Sequence, residues 1–482
     1  MKRMSKPNRL HKAAILFNFV KLVKEVFFGT IIGFLATFKN IDLGGFWFIL
    51  LYVSLFIIGA AIISTLQWYR FTYVVEQDQL KIESGIFIKK KRTISFNRIQ
   101  AIDVSEGIVH RVFKLAKVEV QTAGGDVTSK AEAVLSAISR EKAYEWKELL
   151  QVKKEIEQEL DEEPKEEIVK TISTPRLLLA ASTTNGFGVF LSIVALVGSQ
   201  FGQFIPNPIY EAVYGWMLNL SVPVLIIFSV IGALFLWGTA TLGIWIKYSF
   251  FTIRKADDGL QLSHGLLEKK HLTLSTNRIQ AISVREDLLR QWLGYATVHA
   301  EVVGGRLDAK DGGTSVLLFP LLKKTEVESF LEQFVPDYQP EVLQHVLPKR
   351  SRKRYLFRVL FPVVLAAIPI LYFLPTYSWI LIILLVLASL LGVFQYKDSG
   401  YTLAGDKLIL SSRRISKSTV VMFRKRIQSL TISDHYLQQR ESLKTLKCSV
   451  AAIGGVGKTF AYKDGDEDQI QELFSWYSFQ EK

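Results

Sequence analysis

Few residues in this chain have the types and spacing that chemistry requires. The segment Gly454-Gly455-Val456-Gly457-Lys458-Thr459 resembles a phosphate-cradling loop. The full pattern needs a glycine five residues before Gly457, and that position is Ala452. His264, His271 and His299 fall within one stretch, but without metal-ligand spacing, and the single cysteine, Cys448, excludes an intrachain disulfide or a thiolate cluster. No Ser–His–Asp set, no HExxH and no paired carboxylates recur, so neither an enzyme nor a cofactor or metal site is expected.

The remaining candidates are cations. Arg98, Arg278 and Arg426 recur at one position of a repeated motif, where a guanidinium either grips a lipid phosphate or pairs structurally; the structural reading is preferred. Basic runs precede them: Lys89-Lys90-Lys91-Arg92, then Lys269-Lys270-His271, then Arg413-Arg414 with Lys417. Facing a bilayer, each such charge contributes ~1 kcal/mol of attraction to anionic headgroups; otherwise these are solvated turns. The candidate lipid- or partner-binding set is therefore Lys89, Lys90, Lys91, Arg92, Arg98, Lys269, Lys270, Arg278, Arg413, Arg414 and Arg426.

These cations need elements to hold them. Ser95 to Val104 reads SFNRIQAIDV and Ser275 to Val284 reads STNRIQAISV, identical at 8 of 10 positions; a weaker third copy, FRKRIQSLTI, spans Phe423 to Ile432. A Gly-Gly pair follows the motif arginine by 26 residues in the first two copies and by 28 in the third. Period-two alternation, as in Val118-Glu119-Val120-Gln121, predicts strands, the Gly-Gly pairs predict hairpin turns, and 141–150, 325–334 and 467–477 predict closing amphipathic helices. Each copy thus reads as six or seven strands and a helix. Because Gly454-Gly455 aligns with the hairpin glycines of the other copies, a nucleotide loop is disfavoured there.

Between the copies lie apolar windows at 17–38, 44–66, 177–198, 220–246, 359–374 and 379–394. A bilayer core of ~30 Å takes ~20 helical residues, so three hairpins of two spans each are expected, the first weakened by Lys21, Lys24 and Glu25. The mean hydropathy is positive and the net charge +14. Of 59 Lys+Arg, the three hairpin turns hold only Lys39, which predicts both termini and every polar module in the cytoplasm of the cell membrane. The expected fold class is membrane α-helical hairpins plus α+β modules. Its parts are hairpins at 1–66, 177–246 and 359–396, modules at 67–150, 247–340 and 397–482, an acidic linker at 151–176 and a basic one at 341–358.

The strand order, the Arg-Ile-Gln strand, the Gly-Gly turn and the closing helix resemble the bacterial pleckstrin-homology-like domain of YdbS/YdbT-type membrane proteins. Three hairpin-plus-module units resemble the YdbT type. The resemblance implies a partly open β-barrel capped by one helix and no settled activity. Three roles are open: a non-enzymatic scaffold binding lipid headgroups or a protein, a protection factor against membrane-active peptides acting with a family partner, or a transporter component. The partners expected are the bilayer, anionic headgroups and another membrane protein of the same family, and not nucleic acid.

Overall fold

The computed structural model describes residues 7–37, 43–76, 79–122, 133–146, 168–184, 215–216, 222–256, 259–303, 315–373, 378–452 and 457–478. The three Gly-Gly pairs, most of the third window, most of the turns between apolar windows and residues 151–167 of the acidic linker lie outside these residues.

Strands follow the sequence pattern: β1 Asn8–Arg9, β2 Thr72–Glu76, β3 Gln79–Ser84, β4 Lys90–Ser95, β5 Ile99–Glu106, β6 Leu115–Thr122 and β7 Ala133–Ser139 in the first repeat. The second repeat supplies β8 Val169–Thr171, β9 Thr252–Ala256, β10 Gly259–His264, β11 Lys269–Leu274, β12 Ile279–Glu286, β13 Tyr295–Val302 and β14 Ser315–Lys323. The third supplies β15 His345–Val346, β16 Gly400–Ala404, β17 Lys407–Arg413, β18 Lys417–Phe423, β19 Ile427–Ser433, β20 Leu443–Val450 and β21 Lys458–Asp466. In each repeat the first strand precedes the apolar segment and pairs with the strand that follows it: β1 with β2, β8 with β9, β15 with β16. The chain thus leaves its module and returns to the same sheet after the apolar segment.

Helix α1, Ala14–Thr37, is followed by α2, Leu43–Arg70. Among the described residues, four helical stretches are long and apolar enough to cross a membrane: Val53–Arg70, Val230–Tyr248, Ser351–Tyr372 and Trp379–Lys397. The first window is not among these, since α1 carries a Lys21–Glu25 pair on exposed side chains. Pro362 and Pro369 lie inside Ser351–Phe373 without ending it. Closing helices are found at Lys324–Phe334 and Glu467–Tyr477.

The chain divides into two compact units, and they cut across the repeats. The unit of Met1–Glu166, Thr184–Phe251 and Leu262–Thr273 contains the sheet β1-β2-β3-β4 and a run β7-β6-β5-β11. Its core is aliphatic and small, with Leu80, Val104, Ala116, Val118, Val120 and Leu135 all nearly inaccessible. The unit of Glu167–Thr183, Thr252–Gln261 and Leu274–Lys482 contains β14-β13-β12-β18-β17-β16-β15 and the sheet β19-β20-β21. Its third-repeat core gathers Tyr401, Leu408, Met422, Leu446, Cys448, Tyr462 and Ile470, together with Ala281 from β12.

The sheets are not closed barrels. In the first and second repeats the strand that carries the Arg-Ile-Gln motif pairs on one side within its own repeat, β5 with β6 and β12 with β13, and on its other side with the next repeat. β5 pairs antiparallel with β11, Glu106 opposite Lys269. β12 pairs with β18 over six positions, Ala281 opposite Met422 through Glu286 opposite Lys417. Backbone groups that a lone module would leave open at these edges are satisfied by the following repeat.

Candidate membrane-interface site

Two features recur where the modules meet the ends of the apolar helices. The first is a short helix after the motif strand: α3, Ile108–Val112, then Leu288–Trp292, then Tyr436–Gln439. Each holds a polar residue twelve positions after the motif arginine: His110, Arg290 or Gln438. His110 and Arg290 tie the short helix to the rest of the module and to a second helix, Ala14–Thr37 or Thr174–Ser182, whereas Gln438 is linked to helix Ser351–Phe373 through Asp464.

His110 Nε2 lies 2.9 Å from the Ser136 carbonyl, and its ring stacks on Phe17 of α1 with centroids 3.9 Å apart. Arg290 is buried. It donates to the Ala180 carbonyl at 2.7 Å and to Thr183 Oγ1 at 3.0 Å, at the end of helix Thr174–Ser182, and also to Thr297 Oγ1. Burial lowers the Arg290 pKa, and nearby Asp287 opposes that shift. Gln438 donates to Thr445 Oγ1 at 2.9 Å and to Asp464 Oδ1 at 2.7 Å. The Asp464 carboxylate is fully buried and receives Arg354 Nε at 3.0 Å and an Arg358 amino group at 2.5 Å, both from helix Ser351–Phe373. Burial by itself would raise the Asp464 pKa; Arg358, Gln438 and Arg354 outweigh it and hold the carboxyl below its ordinary range.

The short helices turn apolar side chains outward beside these feet. Val112 and Phe113 are exposed in the first repeat, Leu289 and Trp292 in the second, Tyr436 and Leu437 in the third, with Trp292 at 85%. Such residues are costly in water but at home at the headgroup boundary, where tryptophan and tyrosine concentrate.

The second feature is the turn holding the predicted basic runs. In the second repeat it is bonded to the last turn of helix Val222–Tyr248: Gly265 N to the Ser249 carbonyl at 2.7 Å, Leu266 N to the Ile246 carbonyl at 3.0 Å, and His264 Nδ1 at 3.0 Å from the Lys247 carbonyl. Gly265 has φ +111°, and a Cβ there would stand 2.0 Å from the Glu268 carbonyl oxygen. Gly85, its counterpart, has φ +112° and the same conflict with Ile88. In the third repeat Gln395, on helix Trp379–Lys397, donates to the Arg414 carbonyl at 2.6 Å, and Arg413 pairs with Asp398 at 2.5 Å. The turns also carry exposed apolar tips: Phe87 at 99% and Ile88 at 74%, then Leu267, then Ile415.

The sequence-predicted cations divide between surface and interior. Lys89, Lys90, Lys91 and Arg92 are exposed beside Phe87 and Ile88; Lys89 and Lys91 bracket Glu83 at 2.8 and 2.9 Å, and their hydrogen bonds push its pKa down to about 2. Arg98, Lys269 and Arg414 are exposed, and Lys270 is half-buried in β11. Two assignments need correction. Arg278 is buried and gives its Nε to the Val303 carbonyl at 3.1 Å. Arg413 is buried against Asp398, the Ile415 carbonyl, Gln291 and the Phe394 ring. Each spends its guanidinium inside the fold, so neither presents a fork to a headgroup. Arg426 is half-buried, near Tyr338, and its Nε has no hydrogen-bond partner among the described residues.

Lys458 starts a strand rather than a helix and bonds Glu301 at 2.5 Å, an arrangement unlike a phosphate loop. The histidines are dispersed in role: His264 stacks on Phe251, His271 lies edge-on to Tyr144, and His299 is buried in β13. No cluster of metal-ligating side chains occurs among the described residues. Sequence reasoning missed the short helices, although Ile108–Val112 and Leu288–Trp292 occupy the same place after each motif and both mix adjacent apolar residues with one polar anchor.

A repeated open sheet with a closing helix, alternating with long apolar helices, defines a class of membrane-associated β module. The family model described as "Bacterial PH domain" matches residues 28–154, 216–335 and 359–480, and the chain belongs to that family. It is similar to the UPF0699 transmembrane protein YdbT of Bacillus subtilis (strain 168), 33% identical over 493 residues covering 99% of each chain, and is of that three-repeat type. No solved structure matches. Neither the family nor this relative is typical of enzymes.

Proposed function

We propose that this is a non-enzymatic scaffold of the cell membrane, with six spans, both termini in the cytoplasm, and three PH-like modules held as partly open barrels against the inner leaflet. The observation that carries the reading is the pairing of exposed apolar tips with cations at the helix feet: Phe87 and Ile88 beside Lys89–Arg92, Leu267 beside Lys269 and Lys270, Ile415 beside Arg414. Apolar groups there insert into the interface while ammonium and guanidinium groups meet phosphate, two weak signals that add. The asymmetry of Lys and Arg, with one such residue in the three hairpin turns, supports the cytoplasmic placement. With three modules on one chain, individually weak headgroup contacts act at high effective concentration.

The test uses the full chain in mixed vesicles. Spin-labelled phosphatidylglycerol is expected to associate with the protein more strongly than spin-labelled phosphatidylcholine, and less strongly when Lys89, Lys90, Lys91 and Arg92 are all changed to Gln. Equal association of the two lipids with the unaltered chain would refute headgroup selectivity.

A further inference from the structure

The internal junctions follow one rule, and among the described residues the first and third repeats each present one unmatched half of it. At each junction the strand after the motif in one repeat pairs with the strand before the motif in the next: β5 with β11 and β12 with β18. The register is the same in both. A lysine nine residues before the motif arginine faces an acid eight residues after the preceding one, Lys269 opposite Glu106 and Lys417 opposite Glu286. The short helix after β5 or β12 adds a second contact, to the basic turn of the next repeat. Arg111 donates to the Leu266 and Leu267 carbonyls at 2.5 and 2.8 Å; Arg413 donates to Gln291, and Ser416 to Asp287 at 2.6 Å.

The first repeat has the acceptor half, with no strand paired to it among the described residues. Its β4 is the last strand of its sheet, its lysine is Lys89, and its turn exposes Phe87. Lys89 meanwhile rests on Glu83 of its own hairpin. The third repeat has the donor half, with no following repeat's strand paired to it among the described residues. Its β19 ends a three-stranded sheet, and the acid eight residues past Arg426 is the exposed Asp434. Burial reflects the difference. Seven of the eight residues of β12 are buried under the junction, whereas in β19 only Ile427 is. Gln428 and Thr431 are exposed where Gln280 and Ser283 are buried.

We infer that a second copy of this chain docks its Lys90–Ser95 edge on the Ile427–Ser433 edge of the first, in the register of the internal junctions, with Lys89 facing Asp434. The occupant is a copy of this chain because the chain holds both complementary halves, in sequence, polarity and charge. Such a contact is heterologous: each copy keeps one half free, so the assembly is a closed ring or an open row in the membrane plane.

The experiment co-expresses two differently tagged full-length chains, one carrying Lys89→Cys and the other Asp434→Cys. Cys448 is buried and stays in place. Mild oxidation in native membranes should give a mixed disulfide containing both tags, and none when either substituted chain is expressed with an unaltered one. A Glu106→Cys, Lys269→Cys chain reports whether the same register closes internally. If the internal pair closes and the mixed dimer does not form, the inference fails; it also fails if Asp434→Cys is captured by a different protein instead. Independently, Lys89→Glu made in both tagged chains should reduce their co-purification several-fold, and adding Asp434→Lys should restore it. Unchanged co-purification, or loss without restoration, overturns the proposal.

Discussion

Changing Asp464 to Asn should loosen the third module while leaving its backbone undisturbed. Asp464 sits at φ +53°, a left-handed conformation that asparagine tolerates, so the substitution removes charge rather than shape. The carboxylate is wholly buried and is shared by Arg354, Arg358 and Gln438. Removing one member of a buried ion pair costs ~3–5 kcal/mol. Arg358 is over a third exposed and can recover water, so about 3 kcal/mol is the better figure. Cys448 provides the assay. It is the only cysteine, it lies in the third-repeat core, and burial pushes its pKa up to about 12, so a maleimide reaches it only when the module opens. A loss of about 3 kcal/mol in opening free energy raises the labelling rate roughly 100-fold. A rate within twofold of the unaltered chain would refute the idea that this carboxylate locks the module to helix Ser351–Phe373.

Three further outcomes are expected. Gly265→Ala should destabilise the second basic turn by about 1–3 kcal/mol, because its φ of +111° and the nearby Glu268 carbonyl leave no room for a methyl group; faster proteolysis within 262–270 would report it, and unchanged kinetics would count against it. His299 has its pKa lowered well below 6.5, first by burial and then by Arg285, Lys458 and Arg290. The unfolded chain therefore takes up a proton that the folded one refuses. Stability should fall as pH drops below 6.5, by up to about 1.4 kcal/mol per pH unit, and His299→Leu should flatten the dependence of Tm between pH 6.5 and 5.5. Asp464 has the opposite protonation preference in the fold: its depressed pKa gives stability that is complete above the unfolded carboxyl pKa and lost as pH falls through the folded value. Opening measured at Cys448 should therefore increase with acidification below about pH 4, an increase absent in Asp464→Asn.

Much of this architecture is legible in the residues. The Arg-Ile-Gln motif, the alternation in Val118–Gln121 and the closing helices all appear where local pattern placed them, because each signal is contained within about ten residues. The junctions are not legible. β12 and β18 are over a hundred residues apart, and nothing in either strand says that its partner belongs to another repeat rather than to its own. The equivalent arginines show why recurrence does not assign a role. Arg98 is exposed and Arg278 is buried at the same motif position, a difference set by what packs around each. The short helices escaped detection because four or five residues give no period to read, and Trp292 and Phe113 look like core residues until the fold turns them outward.

The central claim is that the apolar tips at the helix feet lie in the lipid interface. β16 leaves helix Trp379–Lys397 at Gly400, so the turn at Asp406 marks the opposite end of that strand and serves as a water-facing reference. Phe87, Trp292 and Asp406 can each be changed to Cys and labelled with an environment-sensitive fluorophore in vesicles containing headgroup-region nitroxide lipids. The account predicts strong quenching by the lipid nitroxide at 87 and 292 and quenching only by an aqueous agent at 406. Equal aqueous quenching at all three positions, with no lipid effect at 87 or 292, would contradict it.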